Sequence, residues 1–209
     1  MDPTTDSGQP GTLRCIAFEG TRRIASGELR RIVPTVKRAI DAGASLPILI
    51  FDDRSSETIE VDFRGSADDV LRRLAAATAP AQAQAPAAEA PRGPGRPKLG
   101  VVGREVTLLP RHWEWLNSQP GGASVALRKL VEQARRANEG RDRVRRAQEA
   151  AYRFMSVMAG AEPGFEEAAR ALFANDAARF ATLVAAWPAD VRDHAQKLAA
   201  AAFGSGEAH

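Results

Sequence analysis

Residues 92–136 read RGPGRPKLGVVGREVTLLPRHWEWLNSQPGGASVALRKLVEQARR, and how this stretch folds decides how the whole chain is organised. It opens on a basic Gly-Pro segment, continues through a short alternating run, and ends in two amphipathic segments. Glu105 to Leu108 alternates polar and apolar residues, the period of a half-buried strand. Pro110 suits the first position of a helix, where a missing N–H costs nothing, and Trp113 and Leu116 give that helix an apolar face. Pro120-Gly121-Gly122 breaks it. Ser124 predicts the cap of a second helix, with Leu127, Leu130, Val131 and Ala134 as its buried stripe.

Charge singles out the same region. Between Arg92 and Arg146 there are 13 Lys and Arg residues against five Asp and Glu, a local charge of +8. The whole 209-residue chain carries only +3, so the remainder sums to −5. A basic middle in an otherwise acidic protein is an electrostatic footprint for polyanions. For the 141–146 run by itself, a solvated helix face is the better account of the charge.

Upstream, residues 1–12 carry Gly, Pro, Ser and Thr without a period and read as a disordered tail. Cys15-Ile16-Ala17-Phe18 and Arg23-Ile24-Ala25 flank Glu19-Gly20-Thr21 as a hairpin. Glu28 to Ala42 carries apolar residues at helical spacing, with Pro34 either starting or kinking the helix. Pro47 to Phe51 is a continuous apolar run, short enough for a strand buried on both faces. Ile59, Val61 and Phe63 alternate with Glu60 and Asp62 as a fourth strand. Ser66 with Asp69 three residues on approaches a capping box for a helix with Val70, Leu71 and Leu74 inside. Residues 13–77 thus form a small ββαββα domain.

Residues 78–98 form an Ala/Pro linker with a basic end. Residues 99–138 hold the strand-helix-helix unit, and 139–204 a bundle of Ala-rich helices. The bundle's stripes are Val144 to Met158, Phe165 to Phe173, Phe180 to Trp187 (capped by Asp176) and Val191 to Ala202, with Pro188 opening the last helix. The fold class expected is α+β.

Three resemblances attach to these residues. Arg92-Gly93-Pro94-Gly95-Arg96-Pro97-Lys98 resembles an AT-hook, in which Arg lies along a narrow minor groove of concentrated negative potential; here Pro94 replaces the first arginine of the usual core. Residues 104–136 resemble a ribbon-helix-helix module. That resemblance implies two chains pairing their strands antiparallel, with the ribbon in the major groove. With Val106 and Leu108 turned to the dimer core, Glu105 and Thr107 face the bases; Thr107 suits methyl contact and Glu105 a cytosine amino group. Finally, GRPKLGVVGREVTLLPRHWEWLNSQPGGASVALRKLVEQAR, with AYRFMSVMAG, GFEEAARALF and WPADVRDHA downstream, resembles an uncharacterised bacterial family, the domain of unknown function 2239. That implies a bacterial cytoplasmic protein and no activity.

Catalytic chemistry finds little support. His112, His194 and His209 are scattered, Cys15 is the only cysteine, and no Cys/His metal spacing exists. Asp52, Asp53, Glu57, Glu60 and Asp62 gather around one turn, where an edge-protecting solvated hairpin is the simpler reading than a cation site. With no catalytic residue, metal or cofactor expected, and no apolar run long enough to span a bilayer, the sequence reads as a soluble cytoplasmic DNA-binding homodimer. Arg92, Arg96 and Lys98 grip the minor groove or backbone, Arg104, Glu105 and Thr107 lie on the ribbon, and Arg111, Ser124, Arg128 and Lys129 meet phosphates. The alternative is a non-enzymatic protein-interaction scaffold whose 139–204 bundle holds a partner. A weaker third reading makes 13–77 a small-molecule sensor.

Overall fold

Cys15 to Phe18 lies at the centre of the main folded unit. In the computed structural model, which describes residues 13–78, 102 and 104–204, β1 (Arg14–Glu19) is the middle strand of a three-stranded antiparallel sheet. Its neighbours are β2 (Arg22–Glu28) and β3 (Ile48–Asp52), in the order β2-β1-β3. The expected hairpin is present, closed by the Glu19–Arg22 pair around Gly20-Thr21. Gly20 has φ +56°, and a Cβ there would come within 2.4 Å of a Leu46 methyl, so this turn requires glycine.

Alternate residues of β1 serve two cores. Cys15 and Ala17 face Ile32 and Val36 of α1 (Leu29–Asp41), together with Ile50. Pro34 sits inside α1 at the cost of one main-chain hydrogen bond. Ile16 and Phe18 face the other way, with Phe51, into the helices of the C-terminal segment. A strand between two cores shows no polar alternation, because both of its faces are dry.

The expected fourth strand is not formed as such. Thr58 makes a single bridge to Phe51, and Ile59 N–H donates to the Ile50 carbonyl at 2.8 Å. Beyond that, residues 60–64 run without a ladder, although Ile59, Val61 and Phe63 still pack on the α1-side core. Asp62 is turned to Arg64, whose Nε and Nη2 donate to its two carboxylate oxygens at 2.9 and 2.8 Å. The Arg64 backbone N–H also donates to Asp62 Oδ1 at 3.1 Å, a local turn in place of a ladder bond. The 13–77 order is therefore ββαβα. Its last helix, α2 (Ala67–Thr78), carries the expected capping box: Asp69 N–H donates to Ser66 Oγ at 3.2 Å, and Ser66 N–H to Asp69 Oδ2 at 2.8 Å.

Downstream come α3 (Pro110–Ser118), α4 (Gly122–Met158), α5 (Phe165–Phe173), α6 (Ala177–Val184) and α7 (Ala189–Phe203). Asp176 caps α6 by accepting from Arg179 N–H at 3.0 Å. Trp187, buried, donates from Nε1 to the Pro163 carbonyl at 3.0 Å and ties the α5 entrance to the end of α6. The sequence placed a boundary after Asn138, yet α4 runs 37 residues through it. A single Gly140 costs a helix about 1 kcal/mol, too little to break one flanked by good helix formers.

Residues 13–78 and 140–204 form one unit, and 102–139 a second. The segments read as separate domains, 13–77 and 139–204, share a core. Ile16, Phe18 and Phe51 pack with Phe154, Met155, Leu172, Phe180, Val184 and Val191. Phe154 sits in the middle, its ring centroid 5.5 Å from Phe18 and 5.4 Å from Phe51. Each such ring buried in full contributes about 1.5–3 kcal/mol. Polar ties reinforce the contact: Arg23 N–H donates to Asp190 Oδ2 at 2.8 Å, and Lys197 Nζ to Asp53 Oδ1 at 2.7 Å. The helices, with their small Ala faces, act as the cover of the sheet.

Candidate nucleic-acid interface

The second unit has very little core. Residues 104–109 are extended and have no strand partner among the described residues. Pro110 takes the first position of α3 as expected, with Leu109 at the N-cap. α3 is only 9 residues, about 13 Å at 1.5 Å per residue. Leu116 and Ala126 are buried; no other described residue in 102–139 is.

The second helix departs from expectation in two respects. Ser124 is not its cap: Gly121 and Gly122 adopt φ +87° and +73°, and the helix starts at Gly122. Ser124 instead stands exposed in the first turn, where backbone N–H groups lack intrahelical partners. The stripe expected to be buried is largely bare. Leu127 is half-buried, while Leu130 is 41% and Val131 57% exposed, and Ala134 is also exposed. Val106 (52%), Leu109 (50%) and Trp115 (51%) add to this apolar surface. Among the described residues nothing covers it.

The candidate nucleic-acid residues are distributed as follows. Arg104, Glu105, Thr107, Arg111, Arg128 and Lys129 are all exposed. Arg104, Arg111, Arg128 and Lys129 have no hydrogen-bond or ion-pair partner among the described residues, whereas Arg135 and Arg136 are held by Glu132 at 3.4 and 3.2 Å. Leu108 is half-buried and Val106 exposed, so the alternation of the run is only partly expressed in a single copy. Arg92, Arg96 and Lys98 lie outside the described residues, as do the 1–12 tail and nearly all of the 78–98 linker.

Three of the five acidic residues at this turn are held by protein contacts. Asp52 Oδ1 accepts from Arg54 and Ser55 N–H at 2.9 and 2.7 Å, Asp53 holds Lys197, and Asp62 holds Arg64. Among the described residues no three His, Cys, Asp or Glu side chains are placed to hold a metal ion. Burial, with the nearby Asp52 and Asp53 charges, pushes the Cys15 thiol up to about 11, so it stays protonated. His112 is exposed. His194 is buried against Phe18 and Phe154, its ring centroid 4.6 Å from Phe154.

A family model described as "Uncharacterized protein conserved in bacteria (DUF2239)" matches residues 14–199, nearly all of both units. The chain belongs to this family. No curated protein and no solved structure matches it. The family match begins on β1 and ends within α7, so it takes in the sheet, the helices that cover it and the 102–139 segment. No helix among the described residues is long and apolar enough to cross a membrane.

Proposed function

We propose that this member of the family is a non-enzymatic DNA-associated homodimer that binds through residues 92–136. One observation carries the reading. An extended segment with no strand partner among the described residues leads into a helical pair; Val106, Leu109, Trp115, Leu130 and Val131 are between 41% and 57% exposed, and Arg104, Arg111, Arg128 and Lys129 have no side-chain partner among the described residues. Pairing two copies strand to strand satisfies the 104–109 backbone and covers the apolar stripe together. Glu105 and Thr107 then lie on the outer face of the ribbon, Arg111, Ser124, Arg128 and Lys129 reach phosphates, and Arg92, Arg96 and Lys98 follow the backbone or the minor groove.

The scaffold alternative rests on the 139–204 helices. Their main apolar stripe is occupied by the sheet, leaving a smaller patch around Tyr152 and Phe173, whose rings lie 5.6 Å apart.

The test joins oligomeric state to a salt series. Sedimentation should give a dimer, and Val131→Glu should give a folded monomer. Binding to A·T-rich and G·C-rich duplexes should weaken steeply with salt, and removing Arg96 and Lys98 together should lower the log–log slope by roughly one to two units. Arg128→Gln with Lys129→Gln should weaken binding uniformly across sequences. A wild-type chain that is monomeric, or that binds no duplex at ~50 mM salt, sinks the proposal.

A further inference from the structure

An open groove of about 770 Å³ runs between the 52–57 turn, α4 and α7, wholly within the unit that contains the sheet. Its size is that of sites for cofactor-sized ligands, roughly 300–1,000 Å³. The floor is small and apolar: Ala147 and Ala150 of α4 with Leu198 and Ala201 of α7.

The charged groups around this floor fall into two sets. Several are already engaged. Asp52 accepts from turn amides, Asp53 is bridged by Lys197, and Arg153 Nη1 donates to the Ser55 carbonyl. Glu149 stands 3.9 Å from Arg145. Without a partner among the described residues are the guanidinium groups of Arg54, Arg143 and Arg146, and the carboxylate of Glu57. Arg143 and Arg146 stand at i and i+3 on one helix face, about 5–6 Å apart at their Cβ atoms. Two neighbouring cations repel unless an anion sits between them, and a pair of guanidinium forks matches the oxygens of a phosphoryl group.

We infer that this groove binds a phosphorylated small molecule of nucleotide size. The phosphate lies on Arg143 and Arg146, the flat body lies on the alanine floor, and a hydroxyl or amino end turns to Glu57. A continuous nucleic-acid backbone suits the groove less well, because Asp52, Asp53 and Glu57 on its rim repel a run of phosphates. The inference uses none of the residues of the proposed DNA interface and stands apart from it.

Calorimetric titration of the full chain with ADP and, separately, with inorganic phosphate tests it. ADP should bind in the micromolar range, and Arg143→Gln with Arg146→Gln should weaken it at least about tenfold. Glu57→Gln should weaken ADP several-fold while leaving inorganic phosphate unchanged. Arg141→Gln, outside the groove, should change neither. All four positions are exposed, so the variants keep the fold, which circular dichroism checks. No ADP binding up to about millimolar concentration overturns the inference. So does ADP binding that ignores the double substitution, or a short duplex that loses as much affinity as ADP on that substitution.

Discussion

Replacing Phe154 by Ala is expected to lower the unfolding free energy by about 3–5 kcal/mol, the usual cost of emptying an aromatic site in a packed core. The ring is fully buried and touches Phe18, Phe51 and His194, with centroids at 5.5, 5.4 and 4.6 Å. Two of those contacts belong to strands and one to α7, so the cavity opens where sheet and helices meet. A loss of this size is a large share of a domain's typical stability of about 5–15 kcal/mol. Because Ile16 and Phe18 of β1 share this core with α7, both sides should loosen together: thiol labelling of Cys15, on the opposite face of the same strand, and amide exchange in α7 should accelerate in parallel. A variant in which α7 exchanges freely while Cys15 remains closed would show that the two segments hold separate cores after all.

Acid is expected to weaken the same core through His194. Burial, with help from the nearby Lys197 charge, pushes this imidazole down to about 4 from 6.5, against the opposing pull of Asp53. The Nε2 atom has no hydrogen-bond partner in the structure, so the neutral ring has little to gain from a proton inside. The sign follows from which state binds the proton. Below pH 6.5 the unfolded chain protonates His194 while the folded one does not. Stability is therefore complete above pH 6.5, falls as pH drops towards about 4, and loses nothing further from this group below that. A shift of this size corresponds to about 3 kcal/mol. Asp62 and Asp69, held low by Arg64 and Ser66, give way only at more acidic pH. Denaturant midpoints across the window should fall for the wild type and stay nearly level for His194→Leu; equal slopes for the two proteins would remove His194 as the cause.

Much of the main unit was legible locally. The Glu19-Gly20-Thr21 hairpin, the Pro47–Phe51 strand, the Ser66–Asp69 box and the Asp176 cap all announce themselves within a few residues. The joining of sheet and helices does not. Cys15 to Phe18 is apolar throughout, which says that both faces are covered but not by what, and the cover of one face begins more than 120 residues later. The expected fourth strand does not form although burial still alternates over 59–63, because alternation carries no information about whether a ladder forms. The buried stripe on α4 was misjudged for a different reason. The pattern Leu127, Leu130, Val131, Ala134 states that a helix face wants covering, and sequence cannot say whether the cover lies in the same chain. Of the proposed DNA residues, the exposed basic ones were readable as charge, whereas the groove at Arg143 and Arg146 draws on three distant segments that no motif links.

The shared core also sets an order of events during biosynthesis. Ile16, Phe18 and Phe51 are made early, yet the residues that cover them, from Ala150 to Ala199, come at the far end of the chain. At 5–20 residues per second, the nascent sheet waits roughly 7–30 s with one apolar face open. A chain halted within the linker therefore should not mature: ribosome-bound chains ending near residue 100 should remain sensitive to protease, while release of the full length confers resistance. Protection already present in the halted chain would mean that the sheet stands without its cover. For a cell making this protein, that interval is when the early strands are most exposed to chaperones and to one another.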